Sequence, residues 1–175
     1  MSMDVYGLAR QGLVWSASTQ AGVTLSALST TATGLILCNP YGSGKNIAVI
    51  QVEWAFTTAP AGASIVGIAM SPAPSATAVT HTTPINQIQN ALTFGSATDS
   101  IAKVDTAATT VGTPVFVRTL GGPTAASQIT PPYIRDEIQG AIILVPGTSI
   151  QLAYVTTAAV GMASITWTEY APPAV

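Results

Sequence analysis

Charge is what this chain has least of: five Lys and Arg and seven Asp and Glu in 175 residues, 7% charged against 48% hydrophobic. A soluble monomer of this mass exposes about 8,000 Å², which leaves about one charge per 660 Å², against about one per 180 Å² at ordinary composition. Most of the surface must then be Ala, Thr, Ser and Gly. Mixed charge is what ordinarily keeps neighbouring molecules apart, so such a surface is expected to be covered by other copies or other proteins. A net charge of −2 and a pI of about 5.0 supply no basic field, which argues against direct nucleic-acid binding.

Other absences narrow the reading further. The single cysteine, Cys38, excludes an internal disulfide, and its place in the apolar run from Gly34 marks it as a small buried hydrophobe. His81 is the single histidine and has no Cys, Asp or Glu within ten residues, so it lacks nearby partners for a metal site or nucleophile pair and reads as a surface or interface hydrogen-bonding residue. The longest aliphatic stretch, Ala141 to Val145, is far too short to span a bilayer. Met1 to Arg10 shows no basic head followed by an apolar stretch, so no secretory signal is expected. No cofactor is implied.

What is present is period-two alternation. Ile50, Val52, Trp54 and Phe56 share one face with Gln51 and Glu53 on the other, the pattern of a half-buried strand. Ile150, Leu152 and Tyr154 alternate likewise, as do Ile165 and Trp167 against Ser164, Thr166 and Thr168. Further strands are expected at Gly12 to Thr19, Thr33 to Cys38, Ala63 to Met70, Pro114 to Leu120 and Gly140 to Val145. Helical signals are weak. With 15 Gly and 12 Pro between segments rich in Thr and Val, the pattern predicts an all-β antiparallel sandwich, a jelly roll of about eight strands with long loops. Trp15, Trp54 and Trp167 fall in strands and read as core or interface anchors. The organisation expected is an N-terminal arm, residues 1–11, followed by one jelly-roll domain, residues 12–175.

Turns punctuate the strands. Asn39 to Gly44 links two of them, and Pro146-Gly147 suits a type II turn, which predicts a hairpin over Gly140 to Thr156. Ser71 to Gly112 shows little alternation and is expected to be a long irregular excursion, with Gly121 to Pro132 a second. Gly44-Lys45 superficially resembles a phosphate-binding loop, but Asn39 stands where the first Gly belongs and Asn46 where a hydroxyl belongs. A strand rather than a helix follows, so the segment reads as a hairpin loop with a solvated Lys45. Asp99, Lys103 and Asp105 are too sparse for calcium and are expected in solvated or intersubunit ion pairs. Arg135-Asp136-Glu137 is the one charge cluster; its adjacent carboxylates point to opposite faces of a strand, wrong for a shared acid–base site, and are expected to pair with Arg118, Lys103 or another chain.

The run Gly34-Leu35-Ile36-Leu37-Cys38-Asn39-Pro40, then Gly42-Ser43-Gly44-Lys45-Asn46, resembles small structural proteins of tailed phages and prophages. Val115-Phe116-Val117-Arg118, Thr130-Pro131-Pro132, Asp136 to Gly140 and Val145-Pro146-Gly147-Thr148 follow in matching order, over roughly Thr33 to Tyr170. The resemblance implies a tumour-necrosis-factor-like jelly roll acting without chemistry as a capsid decoration (cement) protein. It would be made in the host cytoplasm and bind the major capsid protein on the outer surface of the head as a homotrimer. Expected interface residues are Tyr6, Leu8 and Arg10 of the arm, His81, Arg118, Arg135, Asp136 and Glu137. The alternative is a receptor- or glycan-binding head of a tail or fibre, recognising ligand through the two excursions. A cupin-like metalloenzyme fares worst, because such sites need several histidines.

Overall fold

The computed structural model describes residues 4–77, 79–92, 99–127 and 133–172. Within them the chain forms a short helix, α1 (Val5–Arg10), and twelve strands: β1 (Val14–Ser18), β2 (Val23–Thr24), β3 (Thr31–Asn39), β4 (Asn46–Thr58), β5 (Val66–Met70), β6 (Val79–Pro84), β7 (Gln89–Asn90), β8 (Lys103–Thr110), β9 (Val115–Gly121), β10 (Tyr133–Leu144), β11 (Thr148–Tyr154) and β12 (Val160–Tyr170). They build two antiparallel sheets. The first runs β10-β4-β12-β1-β7, with β2 also on β12, and the second runs β6-β8-β3-β11-β5-β9. Setting β2, β6, β7 and β8 aside leaves β1-β12-β4-β10 facing β3-β11-β5-β9, the eight-stranded jelly roll the alternation predicts.

The sandwich closes over one main core in which Trp54, Trp167, Leu37, Val49, Val52, Ile68 and Leu144 are essentially inaccessible. Trp54 meets Phe56 edge-on at 6.0 Å between ring centroids. All three tryptophans are core residues. Packing leaves a void of only about 10 Å³ between the sheets, lined by Leu35, Leu37, Val52, Ile68, Ile150 and their neighbours. That is at the lower limit of what one water fills.

Three sequence expectations are corrected. Ser71 to Gly112 is not irregular: it carries β6, β7 and β8, inserted between β5 and β9, and β8 pairs with both β3 and β6. Its strand has Ala and Thr where a periodic pattern would show large apolar residues, and pairing on both edges supplies what periodicity does not. Nor is Gly140 to Thr156 a hairpin. The turn at Pro146-Gly147 forms, with Thr148 N donating to Val145 O at 3.2 Å and Gly147 at φ +85°, but β10 and β11 belong to opposite sheets. The Asn39 to Lys45 loop likewise carries the chain from one sheet to the other rather than closing a hairpin.

Within the segment expected as an N-terminal arm, Val5–Arg10 is helical, capped by the Asp4 side chain, which accepts from Gly7 N at 2.9 Å. Among the described residues no helix is long and apolar enough to cross a membrane.

Candidate functional site

The open outer face of the β10-β4-β12-β1-β7 sheet gathers polar side chains into rows. One runs Gln89–Ser16–Thr166–Gln51–Glu137 across five strands, and the next runs Ser18–Ser164–Glu53–Arg135. Beside them lies an apolar row, Met162–Ala55–Tyr133, in which Tyr133 is 61% exposed. Glu53 organises the centre: it accepts from Gln51 Nε2 at 2.6 Å and Ser164 Oγ at 2.9 Å, and Arg135 Nε lies 3.7 Å away. Arg135 Nη2 also meets Glu137 at 2.9 Å. These side chains are therefore held in place before any partner arrives.

Two depressions mark this face. One of about 290 Å³ is lined by Ser16, Ser18, Gln20, Gln87, Gln89 and Ser164. The other, about 210 Å³, is lined by Val5, Ile50, Gln51, Arg135, Glu137 and Gln139. The second sits where β10 bulges: Glu137 pairs with Gln51 and Ile142 with Val49, so Ile138 to Ala141 stand opposite Ile50 alone. Gln139 takes φ +50° and Gly140 φ +82° to make that bulge. A non-glycine residue in the left-handed region costs on the order of 1 kcal/mol and tends to occur where a site needs it. Val5 brings α1 against the same depression.

The residues expected at an interface are dispersed, and most have partners within the chain. Arg118 on β9 pairs with Asp136 on β10, with Nη2 3.0 Å from Oδ1 and a second contact through Nε. The pair bridges the two sheets at the edge where both end, and the hydrogen bond that Arg118 donates to Asp136 raises the Arg118 pKa above its ordinary value. The neighbouring carboxylates do diverge: Asp136 turns to Arg118, and Glu137 to Arg135. Lys103 makes no ion pair among the described residues. In α1, Arg10 stacks over the exposed Tyr6 ring at 5.7 Å, while Leu8 is half-buried.

His81 has the acid partner that local sequence denied it. Its Nδ1 lies 2.6 Å from Asp105 Oδ2, and Asp105 is fully buried and paired within the chain, where a solvated or intersubunit ion pair was expected. The other oxygen, Oδ1, is buried and has no hydrogen-bond partner among the described residues. Burial and, second, the Asp105 charge push the Cys38 thiol up to about 12, so Cys38 is the inert buried hydrophobe expected and no nucleophile. Cys38 and His81 share a depression of about 270 Å³ with Tyr41, Thr77 and Val79. Among the described residues no group of three or more His, Cys, Asp and Glu could hold a metal ion.

Lys45 is not simply solvated: its Nζ lies 3.6 Å from buried Glu169. Glu169 also accepts from Ser100 Oγ at 2.7 Å, Ile101 N at 3.1 Å and Trp167 Nε1 at 3.2 Å, a staple holding residues 100–102 to β12. Asp99 accepts from Trp15 Nε1 at 3.4 Å. Sequence reasoning missed this staple and the organised face around Glu53, although the alternation that set Gln51, Glu53, Ser164 and Thr166 opposite the core already held the signal for the face. Thr130, Pro131 and Pro132 lie outside the described residues. No protein-family model, curated protein sequence or solved structure matches the chain.

Proposed function

We propose that the chain is a non-enzymatic virion structural protein, a decoration protein that binds the outside of an icosahedral phage head as a symmetric oligomer, a trimer, and stiffens the shell. The observation carrying this reading is the edge formed by β9 and β10. Sheet edges present unpaired backbone groups that other chains can extend, and charged side chains ordinarily guard them. Here Arg118, Arg135, Asp136 and Glu137 guard part of these edges, while Val115 and Val117 on β9 stand 57 and 49% exposed, and Ile143 on β10 and Val145 just after it 45 and 40%. An isolated molecule gains nothing from such exposed apolar residues, whereas a neighbouring copy or a capsid subunit buries them without enclosing an unpaired charge. The resemblance of the Gly34 to Asn46 and Val115 to Arg118 segments to phage structural proteins supports the same reading, as does a surface of 8245 Å² shared by so few charges.

The test is the mass of the free protein by light scattering, with binding to capsids that lack it. The expectation is a three-chain species that saturates the shell in tens to hundreds of copies. Val117→Lys should weaken both by at least tenfold while leaving the thermal midpoint within a few degrees. A monodisperse monomer at high concentration with no capsid affinity would overturn the reading.

A further inference from the structure

We propose that the outer face of the β10-β4-β12-β1-β7 sheet is a binding site for a neutral glycan, centred on Glu53, Arg135 and Tyr133. This goes beyond shell binding and does not depend on it, since it uses a sheet face rather than the β9–β10 edge. Its centre lies on β4 and β10, and from the Ser71 to Gly112 insertion, where a glycan-binding head would be expected to read its ligand, it takes only Gln87 and Gln89.

Three observations converge on it. The first is chemical. A sugar ring presents hydroxyl groups around its rim, each both donor and acceptor, and an apolar C–H surface on its faces. The sheet offers the complement in adjoining rows: carboxylate acceptors at Glu53 and Glu137, a guanidinium donor at Arg135 and amides at Gln51 and Gln89, beside the exposed Tyr133 ring in its apolar row. The second is preorganisation. Glu53, Gln51, Ser164, Arg135 and Glu137 are already tied to one another, so little side-chain freedom remains to be lost on binding. The third is shape. Depressions of about 290 and 210 Å³ lie along the same rows, and the second exists because Gln139 accepts a left-handed backbone at the β10 bulge. Both fall below the range for enclosed small-molecule sites, which starts at about 300 Å³, and suit shallow contact with a chain of sugar rings lying along the face.

Charge selects among possible occupants. Glu53 and Glu137 against Arg135 leave a formal charge of −1 at the centre, unfavourable to sulfated, phosphorylated or nucleic-acid ligands. The many fixed hydrogen-bonding groups are poorly matched to an apolar peptide, which would strip water from them without replacing it. A neutral, hydroxyl-rich polymer satisfies both conditions.

The experiment is titration of the isotope-labelled full chain, followed by amide NMR, with maltohexaose, cellohexaose and chitohexaose as neutral probes and heparin as the anionic control. The expected result is saturable binding of at least one neutral probe with a Kd on the order of 1 mM or tighter, with shifts confined to the strands bearing Gln51, Glu53, Tyr133 and Arg135. Tyr133→Ala and Arg135→Ala should each weaken it at least tenfold. Val117→Lys, on the β9 edge, should leave it unchanged. Thermal midpoints of all variants show that the fold is kept, and Arg135→Lys, which keeps the charge but loses the planar fork, should rescue only in part. Failure of all three neutral probes, tighter binding of heparin, or binding undiminished in Tyr133→Ala and Arg135→Ala overturns the proposal. Oligomer formation and capsid binding are read separately, so either idea can fail alone.

Discussion

On β11 every residue from Thr148 to Ala153 is buried, on both faces of the strand, whereas β10 alternates buried and open positions from Tyr133 to Leu144. The two strands are joined by one turn, yet they belong to sheets whose outer faces have different surroundings. Outside the β3–β11 sheet, Ile36, Ala32 and Ala108 form a second apolar cluster under Val79 of β6, and Gln151 reaches up to Ser29 O at 3.3 Å. The Ser26 to Thr33 segment thus lies against this face, and β6 and β8 extend the sheet beside β3 and bury Ile36 with Val79. Among the described residues the opposite sheet has no such cover over Ser16, Thr166, Gln51 and Glu53, and there the polar rows stand open. A chain poor in charge places three of its few charged side chains, Glu53, Arg135 and Glu137, on the face it leaves uncovered.

The comparison is broken most directly by truncating one residue on each face. Ile36→Ala should cost about 2–5 kcal/mol in urea unfolding, as for any core aliphatic residue, while Thr166→Ala on the open face should stay within about 0.5 kcal/mol. Equal costs would mean that both faces are covered or neither is. His81→Ala comes next: it leaves the buried Asp105 carboxylate without its donor and should cost about 1–3 kcal/mol, and adding Asp105→Ala should return part of the loss. A double variant less stable than the single one contradicts that account.

Cys38 sharpens the same contrast through pH. Its folded thiol titrates at about 12, above the ordinary value, so the folded chain keeps a proton that the unfolded chain releases. This contribution is complete below about pH 9 and is lost as pH rises towards 12, at no more than about 1.4 kcal/mol per pH unit. Denaturation at stepped pH should show that slope in the natural chain and not in Cys38→Ala. A thiol reagent at pH 8 should label Cys38 only after unfolding. The smallest effect is expected at the β9–β10 edge, where Arg118→Ala should cost about 0–1 kcal/mol, because the Arg118–Asp136 pair is partly solvated.

Much of the scaffold was legible in the residues themselves. β4, β11 and β12 follow from alternation, because large apolar side chains every second residue leave few other ways to bury them. The polar half of the same alternation held half of the candidate site, at Gln51, Glu53, Ser164 and Thr166. β8 was not legible: Val104, Asp105 and Ala108 are buried in it, but its small and polar residues carry no period, and pairing with β3 and β6 makes it a strand. His81 and Asp105 are 24 residues apart, and Lys45 and Glu169 farther still, so no local window shows either pair.

The sequence by itself determined the all-β class, the tryptophan-anchored core and a surface short of charge, because burial pattern and composition are local properties of the chain. Tertiary structure alone decided which face stays open. The turn at Pro146-Gly147 has the same local chemistry whether it closes a hairpin or crosses between sheets, and only competition among strands for pairing partners makes that choice. The same competition laid β6 and β8 beside β3 and left the Glu53 face to solvent.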